Sequence, residues 1–187
     1  MVFEPDGQRN LLQQGYKLAS NFCVHNNLPR PGLRVQEQWR VHACAYWRND
    51  TIYICPTLCA SPGRAGRRWS WPGYVVDRTP YGVICHETGH HVDWHSRRGP
   101  KSYSSVLRQQ SQEPPITSYC PNDDEWFAEI FRLFLTNPDL LRLLRPKSFK
   151  LLATDFKPEI DANWHKVLET APERYLIAAQ NKIKKTN

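Results

Sequence analysis

Apolar positions along the chain switch between two spacings, and the switches mark its elements. Leu11, Leu12, Tyr16, Leu18, Ala19, Phe22 and Cys23 recur near helical spacing, which predicts a first helix over 11–28, ended by Pro29 and Pro31. Residues 33–36 and 43–47 then read as strands. After a turn at Asn49 and Asp50, residues 51–55 return as a third strand. Residues 61–74 carry Pro62, Gly63, Gly66, Pro72 and Gly73 and read as an irregular loop, long enough to suggest a working role. Thr79 is a good helix cap with Pro80 at the first helical position, so a helix is predicted from there to about Ser96, with Gly99 and Pro100 as the stop.

Residues 97–121, with a loop at Glu113, Pro114 and Pro115, read as a connector that would line a substrate pocket together with the 61–78 loop; Asn122 then caps a helix predicted over 123–135, which Asn137 and Pro138 end. Residues 139–185 read as mostly helical, with breaks at Pro146, Pro158 and Pro172. The sum predicts an α+β fold, mainly helical, with a small sheet beside the helix that starts at Pro80. No internal repeat or low-complexity tract is visible. The simplest organisation is therefore one domain, 1–187, with a motif-bearing region at 80–135 and a helical C-terminal part at 138–187.

Composition narrows the class. An apolar content of 40% and an aromatic content of 12% point to a packed core and against disorder. No apolar run approaches the length of a membrane span, so no membrane partner is expected. The start, Met1-Val2-Phe3-Glu4-Pro5-Asp6, reads as no secretory leader, and the expected location is cytoplasmic or reached by a non-classical route. In that setting the six cysteines read as free, mostly buried thiols. Cys55 and Cys59, with His42 and Cys44 upstream, are only loosely spaced for a structural zinc site. Nothing around Cys85 and Cys120 points to redox control.

The net charge of +7 suggests acidic partners, including nucleic acid. Its densest patch is Arg64, Arg67 and Arg68, interleaved with Trp69 and Trp71 in the 61–78 loop. Arginine with aromatics can hold a nucleic-acid strand by charge and stacking; a solvated loop or a substrate-cleft wall accounts for the same residues.

The chemistry concentrates in His86-Glu87-Thr88-Gly89-His90. On a helix, residues four apart share a face, so His86 and His90 can offer imidazole nitrogens to one ion, with Glu87 close enough to polarise a water there. With 7 histidines and nine glutamates in 187 residues, such a run arises by chance in about one per cent of chains. Two histidines do not complete a catalytic zinc site; a third protein ligand is needed. His95 lies about 140° round the helix from His90, and the extended motif with a third histidine is absent, since Asp93 stands where its glycine would be and Ser96 where its histidine would be. His91 and His95 therefore read as surface histidines. Asp93, near a turn past His90, can hydrogen-bond a ligating imidazole or pair with Arg97.

Glu125 and Glu129 are the better candidates for the missing ligand. They share a face of a helix that is otherwise apolar and must be largely buried, where carboxylates need cations beside them. Helix capping by Glu125 and a Glu129–Arg132 ion pair are the competing readings. The upstream histidines tip the balance towards ligation.

The two ordered motifs, His86-Glu87-Thr88-Gly89-His90 and, after Tyr119, Glu125-Trp126-Phe127-Ala128-Glu129-Ile130-Phe131, resemble those of the family of anthrax-toxin lethal factor catalytic domains and their zincin relatives. The resemblance covers roughly residues 80–135. It implies a zincin-like metalloprotease domain of the gluzincin type and a zinc-dependent endopeptidase activity on a protein or peptide substrate, with one zinc per chain. His86, His90 and Glu125 would then bind the metal, and Glu87 would act as general base. Glu129 would orient a ligand from behind, and Tyr119 would hydrogen-bond the oxyanion. A nucleic-acid-associated zincin using the basic loop, as a protease of DNA-bound proteins or an inactive binding protein, is the alternative.

Overall fold

The computed structural model describes residues 5–37, 43–60, 77–116 and 122–157. Among them are six α-helices and a three-stranded sheet, an α+β arrangement that is mostly helical. Helix α1 (Pro5–His25) opens the chain, earlier than its apolar pattern suggests. It ends where Asn27 turns left-handed at φ 56°, with Leu28 N–H bonded back to Cys23 O at 2.8 Å, an arrangement that satisfies the last carbonyls.

Strands β1 (Gly32–Val35), β2 (Ala45–Arg48) and β3 (Thr51–Ile54) form a sheet of order β1-β3-β2. β3 runs parallel to β1 and antiparallel to β2. Asn49 and Asp50 make the two-residue turn between β2 and β3, both with positive φ (49° and 59°). That geometry matches the twist of the flanking strands and suits short polar side chains. A 3-10 turn at Pro56–Leu58 follows.

Helix α2 (Pro80–His95) starts as its sequence predicts, with the Thr79 side chain accepting from Gly82 N–H and Pro80 at the first position. It is buried almost throughout because both faces are covered. Val83 and Ile84 pack with Ile52, Ile54 and Ala45 of the sheet and Leu12 and Ala19 of α1. Tyr81, Cys85 and Val92 pack into a larger helical core with Phe22 of α1. The helix ends at its Ser96 cap, where it was expected to, with Gly99 in the left-handed region just beyond.

Residues 97–121 were expected to be a connector, yet they hold α3 (Tyr103–Ser111), capped by Ser102 and anchored by buried Tyr103 and Leu107 four apart. α4 (Asp123–Thr136) has the predicted cap at Asn122 and an almost wholly buried body. It supplies Phe127, Phe131 and Phe134 to the helical core, where Phe22 meets the Phe131 ring edge-on at 5.0 Å. α5 (Pro138–Leu144) and α6 (Pro146–Asp155) close that core, each starting on a proline that ends its predecessor. The rest of the predicted helical C-terminal part, 158–187, falls outside the described residues. No described helix is long and apolar enough to cross a membrane.

Candidate metal centre

The site forms where α2 and α4 touch. Gly89 makes this contact possible: a Cβ built on it would lie 2.6 Å from the Ala128 Cα, so only a bare backbone fits there. The small pair at Gly89 and Ala128 brings the two motif helices together, and the flanking polar residues of each then face one another. His86, His90 and Glu125 offer one ligand atom each, all within 4.8 Å of one another, a grouping able to hold a metal ion. His86 Nε2 lies 3.1 Å from Glu125 Oε2, and His90 Nε2 lies 3.8 Å from Glu125 Oε1. The two imidazoles meet edge-on, 5.2 Å between ring centres.

Glu129 sits one turn further along α4 and contacts both His86 and Arg132. Its Oε1 is 2.8 Å from His86 Nδ1, and its Oε2 accepts from Arg132 Nη2 at 2.7 Å. Both Glu129 and Arg132 are about 2% exposed. The chain Arg132–Glu129–His86 therefore fixes the imidazole ring from behind and directs Nε2 towards Glu125, an outer support common to ligating histidines. Asn122 caps α4 through Glu125 N–H, which leaves the Glu125 side chain to the histidines.

Electrostatics sharpen the picture. Burial on its own would push His86 down, but hydrogen bonds to Glu125 and Glu129 outweigh it and lift the imidazole to about 10. His90 goes the other way: burial and the neighbouring His86 charge lower it to about 4. Two imidazoles on one face thus share a single positive charge. Burial would raise Glu129, yet the Arg132 charge and the His86 bond hold it well below the carboxylate range. Glu125 is likewise held low by His86 against its own burial. Glu87 differs from both: burial dominates and raises it to about 7, a value suited to exchanging protons near neutrality.

A cavity of about 500 Å³ opens onto Glu87, His90 and Glu125. Its far wall is β2, with Ala45, Tyr46 and Trp47, and β2 is an edge of the described sheet. Trp94 forms part of the floor, with the Arg97 guanidinium 4.0 Å from its ring centre. Ala45, Tyr46, Trp47 and Trp94 were not among the wall residues expected from the sequence; Arg97 belongs to the 97–121 connector that was, and residues 61–76 of the other expected wall lie outside the described residues. Only the predicted strand beside the motif helix pointed towards the first four.

Other expectations fare differently. Asp93 was expected to support an imidazole or pair with Arg97. Its carboxylate instead accepts from Ser104 N–H at 2.6 Å and Ser104 Oγ at 3.0 Å, tying the start of α3 to α2. His91 is no surface residue. It is fully buried, accepting from the Trp47 indole N–H at Nδ1 (3.2 Å) and donating from Nε2 to Pro29 O (2.8 Å). His95 is partly exposed and bonds Asp50 Oδ1 at 2.6 Å. Asp50, His91 and His95 likewise bring one donor atom each within 4.8 Å of one another. Tyr119, Arg64, Arg67, Arg68, Trp69 and Trp71 lie outside the described residues.

Comparison with protein-family models, with curated proteins and with solved structures gave no match to this chain. The arrangement of side chains therefore carries the functional argument.

Proposed function

We propose that this protein is a zinc-dependent metallopeptidase. The observation behind the proposal is the meeting of three donor groups from two helices, with His86 held by Glu129 from behind and Glu87 beside the same cavity. Two imidazoles and a carboxylate suit zinc, and three protein donors leave room for a water, as hydrolytic centres require. His86, His90 and Glu125 would hold the ion, which when bound would acidify a water and polarise the scissile carbonyl. Glu87, raised to about 7, takes the water's proton as attack proceeds and hands it to the leaving amine. β2 is the outer strand of the described sheet and lines the cleft, a geometry suited to an extended peptide lying alongside it. Tyr119 is the proposed oxyanion donor, on the strength of the motif resemblance alone.

The test combines zinc content with cleavage of a peptide library, with and without a chelator. One zinc per chain and chelator-sensitive cleavage are expected. Glu87→Gln should lower turnover by about 10²–10⁴-fold while zinc content stays at one, because it removes a proton acceptor and no ligand. Full activity in that variant, or cleavage indifferent to chelation, would overturn the reading.

A further inference from the structure

One face of α2 leads away from the candidate metal centre along the floor of the cleft. Glu87, His90 and Trp94 stand three and four residues apart, and Arg97 follows just past the Ser96 cap. All four line the same cavity. Trp94 is 48% exposed, and its indole meets the Trp47 ring of β2 at 6.1 Å and the Arg97 guanidinium at 4.0 Å. Trp47 is in turn fixed by its hydrogen bond to buried His91. The platform that carries Arg97 is thus tied into the fold, although Arg97 itself is exposed.

Given the peptidase reading above, on which this rests, we propose that Arg97 sets substrate choice. The cleft prefers peptides that carry an Asp or Glu side chain about two or three residues from the scissile bond. Stacking engages the face of a guanidinium and leaves its in-plane N–H groups to grip a carboxylate as a fork. Nearby arginines are already committed, Arg98 to Asp155 at 2.6 Å and Arg108 to Asp123 at 2.7 Å. Arg97 pairs with no carboxylate among the described residues. Asp93, which feels its charge, has both oxygens bonded to Ser104.

The register follows from two repeats. A helix rises about 1.5 Å per residue, so Trp94 and Arg97 lie about 6 and 10 Å beyond His90 along α2. An extended peptide advances about 3.3 Å per residue. A guanidinium drawn back over Trp94 therefore falls opposite the second or third residue from the cut. Tyr46 and Trp47, across the cleft on β2, offer flat apolar surface to the methylene stem of an acidic side chain. Asp124 is the opposing charge on the cleft and would favour a basic side chain. It stands in the first turn of α4, where the positive helix end offsets it, and its charge already falls on His90. The net charge of +7 likewise draws acidic chains over basic ones.

The test separates selectivity from catalysis. Zinc-loaded full-length protein is given a peptide library in which Glu, Gln or Lys occupies each position in turn, and products are read by mass spectrometry. A Glu two or three residues from the cut should raise kcat/KM about fivefold over Gln, the scale of a favourable exposed ion pair. Salt at about 1 M should erase that gain. Arg97→Gln should bring the Glu-to-Gln ratio to about one, and Arg97→Glu should turn the preference towards Lys. Three results would overturn the proposal and leave the peptidase standing: equal cleavage of Glu and Gln peptides, a preference for Lys in the unsubstituted protein, or an acidic preference that survives Arg97→Glu. A library left wholly uncut sinks the peptidase instead, and fluorescence anisotropy of the labelled peptides then decides whether the cleft sorts by charge. Glu peptides bound about fivefold tighter than Gln, with the order reversed by Arg97→Glu, uphold the acidic preference. Equal or absent binding overturns it.

Discussion

Helix α2 carries two histidine pairs of identical spacing, His86 with His90 and His91 with His95, and each meets a carboxylate from elsewhere in the chain. Glu125 of α4 joins the first pair, and Asp50 of the β2–β3 turn joins the second. By spacing and reach they are equivalent. They differ in what occupies the nitrogens. His86 uses Nδ1 on Glu129 and turns Nε2 into the group. His91 has its Nδ1 lone pair on the Trp47 indole N–H and its Nε2 proton on Pro29 O. On the proposed reading, hydrogen-bond partners outside each triad would decide which group can take an ion, a lesson no motif spelling contains.

The strongest way to break the comparison is to remove each carboxylate in turn. Glu125→Ala should reduce zinc from one per chain to none, measured by atomic spectroscopy after dialysis, whereas Asp50→Ala should leave it at one. Equal loss in both would mean that the pairs are interchangeable. Next in size is the helix contact. Gly89→Ala places a methyl against the Ala128 backbone and should cost about 1–3 kcal/mol in denaturant unfolding. His95→Ala, at a partly exposed position, should cost less than that; if Gly89→Ala is silent, the close approach is not what seats the first pair.

His86 and His91, one from each pair, should also respond oppositely to pH in chelator-treated protein. His86 is raised from 6.5 to about 10, so its contribution is complete below pH 6.5 and disappears as pH climbs to about 10. His91 is lowered by burial, so its neutral form is favoured and its contribution is lost as pH drops below 6.5. Melting temperature of the metal-free protein should therefore fall across pH 6.5–10, and His86→Gln should flatten that slope while His91→Gln should not. The smallest effect concerns the indole. Trp47→Phe removes one donor at about 1 kcal/mol and uncovers the His91 lone pair. Equilibrium dialysis should then detect weak cation binding at Asp50, His91 and His95 where the unsubstituted chain shows none.

What the sequence disclosed follows the range of each signal. Thr79 and Asn122 cap their helices through atoms three residues away, and the Asn49-Asp50 turn is set by its own two residues, so these features were readable locally. α3 was missed because much of its support is remote: Asp93, eleven residues back, fastens its first turn. His91 looked like a surface residue because its partners, Trp47 and Pro29, are 44 and 62 positions away. Glu129 posed a choice between an ion pair with Arg132 and a partner on the motif helix that one helix could not resolve. Its carboxylate reaches both partners: Oε1 meets His86 Nδ1 and also Arg132 Nε, while Oε2 accepts from Arg132 Nη2.

The meeting of Gly89 and Ala128 is a main-chain contact, and main chains do not flex as side chains do. The width of the cage between the histidines and Glu125 is consequently inherited from the spacing of two rods, set before any ion arrives. Cations of unequal radius would then be sorted by whether they suit a gap of fixed span.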